Sequence, residues 1–111
     1  MVQVVLTMVA PRHRSRELIG ALRSLMLPLQ AAPGFIACRL FKEVDEADTI
    51  CYVEEWRTAY DLNRQIRTSH YTRLMSLMEG AAEPPVLRMN WITDVKGLEY
   101  VELVRGAEPS L

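Results

Sequence analysis

The chain has 111 residues, of which half are hydrophobic and 24% are charged, a composition typical of a folded globular protein rather than of a disordered or bilayer-spanning segment. Thirteen basic and fourteen acidic side chains leave a formal net charge of −1, so the chain lacks the broad positive field that attracts nucleic acid or anionic lipid. We therefore expect one domain over residues 1–111, with neither a nucleic-acid partner nor a membrane partner.

The first predicted elements are a strand and a helix. Val2–Val9 is rich in β-branched residues and ends before Pro11, which cannot continue a strand ladder. Between residues 14 and 29 the apolar side chains recur at helical spacing, which predicts an amphipathic helix. The members of that apolar stripe are Leu18, Ile19, Leu22, Leu25, Met26 and Leu29.

A pair of strands is predicted next. Ala32-Pro33-Gly34 has the chemistry of a turn and ends the helical pattern. Residues 35–44 and Thr49–Trp56 are rich in β-forming side chains and are separated by the short acidic segment 45–48. Two such runs around a short polar connection predict an antiparallel hairpin.

The second half predicts a helical region and a fourth strand. Apolar residues return to helical spacing over residues 58–78, with a break near Thr68 and Ser69, where Ser69 can cap a new turn. Residues 86–95 alternate as a strand, with a phase slip near Trp91 that indicates a bulge. Residues 98–105 suit a helix and a strand equally well, so the structure of the C-terminal extension, residues 98–111, is left open.

The resulting order is strand, helix, strand, strand, helix, strand. This order predicts an α+β ferredoxin-like fold, in which an antiparallel sheet carries both helices on one face. The other face would leave four apolar strands in water, which is costly. Pairing two sheets face to face across a twofold axis is the simplest remedy, so we expect a homodimer.

The two cysteines predict neither a metal site nor a disulfide. Cys38 and Cys51 lack the spacing and the nearby histidines of a zinc site, so no metal is expected. A hairpin turning at residues 45–48 places Cys51 opposite Lys42 and Cys38 opposite Glu55, so the two thiols are not cross-strand neighbours. The N-terminus has no charged segment before a long apolar run. We therefore expect a reducing, cytoplasmic location.

Four motifs together resemble a known family. They are Pro33-Gly34 before a strand, the acidic turn at 45–48, Glu54-Glu55-Trp56 at the end of a strand, and Ser69-His70-Tyr71 on the next helix. This pattern is similar to that of the antibiotic biosynthesis monooxygenase family of dimeric α/β barrel proteins. The similarity extends from the first strand to the fourth. The family includes monooxygenases of polycyclic phenols, quinol monooxygenases, haem-degrading enzymes and members without an assigned reaction.

The resemblance implies a monooxygenase that oxidises a small aromatic substrate, such as a quinol or a polyphenol, with O2 and without a cofactor. Such a reaction needs a base, donors that hold the substrate anion, and an apolar wall that excludes water. The same fold also serves as a binding or regulatory module for a small apolar ligand, and this is the alternative function.

His70 is the candidate base, because an imidazole titrates near neutral pH. Its position four residues from Ile66 and Leu74 also suits a residue at the border of the buried stripe. Trp56 is a candidate catalytic wall or N–H donor, although an aromatic residue at a strand end is commonly part of the core. Tyr71 is the third candidate catalytic residue, as a donor to a substrate oxygen.

Four further residues are candidates for substrate binding. Tyr52 and Glu54 share a strand face with Trp56, because side chains two positions apart point the same way. Asn63 is a possible donor from the helical region, or a solvated helix residue. Arg39 either faces the substrate or forms an ion pair with Glu54 or its neighbour Glu55.

Haem degradation is disfavoured by the same resemblance. Haem-degrading members typically carry a histidine late on the second helix, a tryptophan on that helix and an asparagine on the first strand. The corresponding residues in this chain are Met75, Gln65 and Thr7. We therefore expect no haem and no other cofactor.

Overall fold

The computed structural model describes residues 1–107. It contains four strands and four helices in this part of the chain. In chain order these are β1 (Val2–Val9), α1 (Ser15–Leu29), β2 (Phe35–Lys42), β3 (Thr49–Trp56), α2 (Ala59–Ile66), α3 (Ser69–Glu79), β4 (Val86–Trp91) and α4 (Leu98–Gly106).

The four strands form one antiparallel sheet in the order β2-β3-β1-β4. Helices α1, α2 and α3 cover one face, which we call the helix side of the sheet. The predicted ferredoxin-like α+β fold is therefore confirmed. Its strand order places β1 and β3 in the middle of the sheet, where both strands can be buried beneath the helices.

The core lies between the helix side of the sheet and the three helices. Side chains of β1 alternate between buried and half-buried along the whole strand, as expected for a strand with one covered face. The buried members of the core on β1 and the helices are Val2, Val4, Leu6, Met8, Leu22, Leu25, Leu29, Leu62, Tyr71 and Leu74. The apolar stripe predicted for α1 supplies three of these residues.

The register of the hairpin differs from the prediction by one residue. The backbone N–H of Glu43 donates to the carbonyl of Thr49 at 2.9 Å, so residues 44–48 form the connection. As a result, Cys38 lies opposite Glu54, and Cys51 lies opposite Phe41. Both cysteines are free thiols.

Three other local predictions need correction. The second and fourth strands end at Lys42 and Trp91, earlier than predicted, and the sheet irregularity lies between Phe35 and Ala37 rather than near Trp91. The predicted helix break is present, but Thr68 occupies the N-cap position of α3 and Ser69 is its first residue. The extended backbone of Thr68, with φ −89° and ψ 163°, separates the two helices.

The C-terminal extension begins with helix α4. No residue of α4 is buried. The Cα radius of gyration is 17.0 Å, whereas a compact chain of this length has a value of about 13 Å. Helix α4 therefore projects from the rest of the chain, and residues 108–111 of the predicted extension lie outside the described residues. None of the described helices is long and apolar enough to cross a bilayer.

Candidate active site

A buried carboxylate lies at the centre of the candidate site. Glu54 is on β3, faces the helix side and is 0% exposed. Its Oε1 accepts a hydrogen bond from the indole N–H of Trp56 at 2.9 Å and another from the hydroxyl of Tyr71 at 3.1 Å. Its Oε2 accepts a hydrogen bond from the hydroxyl of Tyr52. We call these four residues the Glu54 cluster.

The local sequence explains how the Glu54 cluster forms. Tyr52, Glu54 and Trp56 alternate along β3, so all three point to the same face. Tyr71 reaches them from α3, where it shares the buried side of the helix with His70 and Leu74. The cluster therefore joins the sheet to α3 through hydrogen bonds inside the core.

The three donors compensate for the burial of Glu54. An unpaired carboxylate in a protein interior is very unfavourable, whereas hydrogen bonds to both oxygens offset much of that cost. Burial raises the pKa of Tyr52 and of Tyr71 far above the usual tyrosine range, and the adjacent Glu54 carboxylate raises both pKa values further. Both phenols thus keep their protons at neutral pH and remain donors.

Cys38 adjoins the Glu54 cluster from β2, directly across from Glu54. Burial raises the pKa of its thiol to about 11. The hydrogen bond with Tyr52 acts to lower this pKa, and the nearby charge of Glu54 acts to raise it. At neutral pH Cys38 is therefore a neutral thiol that contributes a small, weakly polar surface.

An open cavity of about 600 Å³ lies between α1 and β2, and we call it the α1–β2 cleft. Its β2 wall is apolar, whereas its α1 wall combines Met26 and Leu27 with Arg23 and Gln30. Phe35, one of its lining residues, packs edge-to-face on Trp56 with a ring-centroid distance of 5.7 Å. Cys38 is another, so the Glu54 cluster lies directly behind two residues of the cleft wall. The lining residues are Arg23, Met26, Leu27, Gln30, Phe35, Ile36, Ala37 and Cys38.

A second groove, of about 370 Å³, lies between α1 and α3 near Pro11 and Gly80. Among the described residues that line it, none belongs to the Glu54 cluster. The α1–β2 cleft combines an apolar wall with adjacent buried polar groups, which is the arrangement typical of small-molecule sites. We therefore take the α1–β2 cleft and the Glu54 cluster together as the candidate site.

His70 is buried between α3 and α1 and is 9% exposed. Its Nε2 lies 2.7 Å from the backbone carbonyl of Leu25. A carbonyl can only accept a hydrogen bond, so we assign the proton to Nε2 and the lone pair to Nδ1. Nδ1 is buried and has no hydrogen-bond partner within residues 1–107. The His70 ring centroid is 6.3 Å from that of Tyr71, with no hydrogen bond to the Glu54 cluster.

The structure separates the other two predicted site residues from this cluster. Asn63 is exposed on α2. Arg39 lies on the face of the sheet opposite the helices, where it forms a 2.9 Å ion pair with Glu55. Of the two ion-pair partners considered for Arg39, Glu55 is therefore the one observed.

Sequence reasoning missed Phe35 and Cys38 as parts of the candidate site. Phe35 follows Gly34 at the start of β2, and its contact with Trp56 depends on the irregularity that comes next in the strand. Cys38 would have been placed opposite Glu54 by the correct hairpin register. Within residues 1–107 no group of three potential ligands is arranged to hold a metal ion.

Comparisons with known proteins give a consistent fold assignment. The family model described as antibiotic biosynthesis monooxygenase matches residues 1–77. A candidate antibiotic biosynthesis monooxygenase of Deinococcus radiodurans has a TM-score of 0.78 and 10% identity, over 87% of this chain and 97% of that chain. A candidate antibiotic biosynthesis monooxygenase from Nitrosomonas europaea has a TM-score of 0.74 and 16% identity, over 85% of this chain and 100% of that chain.

A conserved protein from Methanosarcina mazei is also similar, with a TM-score of 0.73 and 19% identity, over 80% of this chain and 89% of that chain. At these identities, the solved structures establish the fold and leave the reaction open. No curated protein matches the sequence.

Proposed function

Because the chain belongs to the antibiotic biosynthesis monooxygenase family, we propose that it oxidises a small phenol or quinol with O2 and needs no bound cofactor. The observation that carries this proposal is the Glu54 cluster behind the apolar β2 wall of the α1–β2 cleft. An aromatic ring fits this apolar wall, and its hydroxyl group requires polar partners at the inner end.

The proposed reaction balances without a further reductant. A phenol with a free ring position and one O2 give a quinone and one water. The phenol first loses its proton, and the phenolate transfers one electron to O2. The resulting radical and superoxide combine to form a carbon–oxygen bond and, with a proton, a ring hydroperoxide. The hydroperoxide then loses water, and the quinone remains. This water contains the distal O–H of the hydroperoxide and the hydrogen of the ring carbon that carries it.

We assign the proton-accepting role to His70. With Nε2 held by the carbonyl of Leu25, Nδ1 presents a lone pair that no described residue occupies. A buried acceptor without a partner is uncommon in folded proteins and requires an explanation. His70 lines neither described cavity, so a substrate hydroxyl reaches Nδ1 only when the packing around the ring opens; it would then satisfy Nδ1 and lose its proton to it.

The Glu54 cluster is assigned to substrate positioning. Trp56 supplies an aromatic wall whose N–H is already used by Glu54. The hydroxyl oxygens of Tyr52 and Tyr71 donate to the carboxylate and keep acceptor lone pairs for a second hydroxyl. Arg39 and Asn63 are left out of this assignment because the first lies on the opposite sheet face and the second is exposed.

The proposed assembly is a cytoplasmic homodimer of single-domain chains. The face of the sheet opposite the helices, here called the open sheet face, has no covering element within residues 1–107. Its apolar residues include Val5, Val9, Ala37, Phe41 and Val86, and Phe41 and Val86 are 50% and 56% exposed. A second copy with the same face would remove these side chains from water. Two free thiols suit a reducing compartment.

Oxygen consumption by the purified protein tests this function. A panel of quinols and polycyclic phenols is supplied in air with superoxide dismutase present, and quinone formation is followed in parallel. We expect uptake above autoxidation for at least one compound. Uptake at the background rate for every compound, with a ligand-dependent rise in melting temperature, would contradict the proposal and indicate a binding module.

His70→Gln tests the base. The glutamine amide can keep the hydrogen bond to Leu25 but has no basic nitrogen in place of Nδ1. We expect kcat to fall about 10²-fold or more, the range of general-base contributions, with little change in melting temperature. His13→Asn is the matched control, because His13 is exposed and has a φ of 66°, which asparagine tolerates. Unchanged kcat in His70→Gln would contradict the assignment.

A further inference from the structure

Helix α4 has an apolar face that no element within residues 1–107 covers. Tyr100, Val101, Leu103 and Val104 lie on one side, and Leu98 lies with Glu99, Glu102 and Arg105 on the other. Each of the large apolar residues is at least 47% exposed. These residues are Leu98, Tyr100, Val101, Leu103 and Val104.

A short helix with an exposed apolar face needs another surface to pack against. Helix α4 has nine residues, and isolated helices shorter than about 12 residues are marginal in water even with favourable sequences. Stability of a short helix therefore comes from packing its apolar face. The missing surface must be supplied by something other than the chain's own body in this conformation.

The same chain carries an exposed apolar surface on β4. Leu87 and Trp91 pair with Leu6 and Val2 of β1, so they point to the helix side of the sheet. They are nevertheless 42% and 62% exposed, because α1 and α2 pack over β2 and β3. We call Leu87 and Trp91, with the neighbouring half-buried Met89, the β4 row.

We propose that α4 is an exchanged arm, whose apolar face packs on the β4 row of a second copy of this chain. In a twofold dimer each copy gives one arm and receives one, so both exposed surfaces are covered without any third component. This inference rests on the proposed homodimer and adds to it a second contact, separate from the open sheet face.

The apolar area that α4 and the β4 row can bury is of the size that a second copy of this chain would require. Burying a large apolar side chain removes on the order of 100 Å² from water, so the four residues on the apolar face of α4 with Leu87 and Trp91 would bury roughly 600 Å² on each copy. A stable interface of standard size needs about 800 Å² from each partner. The arm alone approaches this value, and the open sheet face would provide the rest.

The mass of the full-length protein in solution tests the exchange. The arm variant is Leu103→Glu with Val104→Glu, and the acceptor variant is Leu87→Glu. Light scattering and sedimentation should show a dimer for the wild type and at least a tenfold weaker dimer for each variant alone. Glu102→Gln on the polar face of α4, and Val44→Glu in an exposed loop, are matched controls that should dimerise as the wild type does.

Mixing the two variants distinguishes exchange from an arm that folds onto its own chain. A mixed dimer keeps one intact arm on one intact acceptor, so equal amounts of the variants should restore dimers that contain one copy of each, as native mass spectrometry can show. Failure of mixing to restore dimers would overturn the exchange. Circular dichroism of each variant alone verifies that it is folded.

Two other outcomes separate this inference from the proposed homodimer. An arm variant that dimerises as tightly as the wild type would overturn the exchanged arm and leave the dimer through the open sheet face in place. A monomeric wild type at high concentration would overturn both. Oxygen uptake is independent of these readouts, so a failure of the proposed reaction would not affect the result.

Discussion

Glu54 and Glu55 show how adjacent residues of one type acquire different roles. Glu55 points to the open sheet face, where it forms an ion pair with the exposed Arg39, and such surface pairs contribute about 0–1 kcal/mol to stability. Glu54 points to the helix side and accepts three hydrogen bonds in the core. A buried carboxylate is costly without its donors, so the side chains around Glu54 are strongly constrained.

The pH dependence of stability should report the buried tyrosines. The pKa of Tyr71 is raised by burial first and by the charge of Glu54 second. The folded chain therefore keeps a proton that the unfolded chain loses above about pH 10, and folding stability falls as the pH rises. For each such tyrosine the expected loss between pH 10 and pH 11 is about 1 kcal/mol.

Tyr71→Phe should reduce this alkaline loss by about 1 kcal/mol, as measured by urea unfolding at pH 8, 10 and 11. The variant should also be less stable at pH 8 by about 1–3 kcal/mol, because Glu54 loses a donor. Tyr60→Phe is the matched control, since Tyr60 is 70% exposed, and it should follow the wild-type pH profile. Parallel profiles for Tyr71→Phe and the wild type would show that Tyr71 does not titrate as proposed.

At the scale of elements, the turn between α1 and β2 depends on Gly34. Its φ of 78° lies in the left-handed region, which costs a residue with a Cβ roughly 1–2 kcal/mol. A Cβ at this position would also overlap the side chain of Asp61. Asp61 accepts hydrogen bonds from Thr58 and Arg64 at the start of α2, so it cannot move without losing them.

Gly34→Ala should therefore lower the free energy of unfolding by about 2–4 kcal/mol, from backbone strain and from overpacking against Asp61. Gly20→Ala is the opposite case. Gly20 lies within α1 with nothing within 4 Å of the added methyl group, so the change should stabilise by about 0.5–1 kcal/mol. Denaturant unfolding at pH 7 measures both values. Equal effects of the two substitutions would contradict this account of the turn.

The sequence predicted the elements whose patterns are local. The alternation of β1 and β3 and the stripe of α1 each follow from one period, and the structure places these elements within one residue of their predicted ends. The hairpin register was wrong by one residue because it depends on where the connection closes, and residues 44–48 carry no glycine or proline to mark the turn.

For the candidate site, too, only the local part of the arrangement follows from the sequence. The shared face of Tyr52, Glu54 and Trp56 follows from alternation alone. The hydrogen bond between His70 and the carbonyl of Leu25 joins residues 45 positions apart, and no local pattern encodes it. Phe35 and Cys38 became part of the site through the strand irregularity and the register, which are tertiary properties.

At the scale of the whole molecule, large apolar surfaces remain exposed after folding. The open sheet face and the projecting α4 both expose large hydrophobic side chains, and the extents of the chain, 51 × 35 × 21 Å, reflect its elongated form. Marginal stability is normal for a domain of this size. A chain that leaves such apolar surfaces unpaired gains additional stability by association.

Thermal unfolding should therefore depend on protein concentration. If folding is coupled to dimer formation, mass action raises the melting temperature as the concentration increases. Val5→Lys places a charge in the middle of the open sheet face, so it should lower the melting temperature and weaken the dimer. Val44→Lys, at a loop position that is 94% exposed, should leave both unchanged. Differential scanning fluorimetry over a hundredfold range of concentration measures this dependence, and a constant melting temperature for the wild type would show that the monomer unfolds alone.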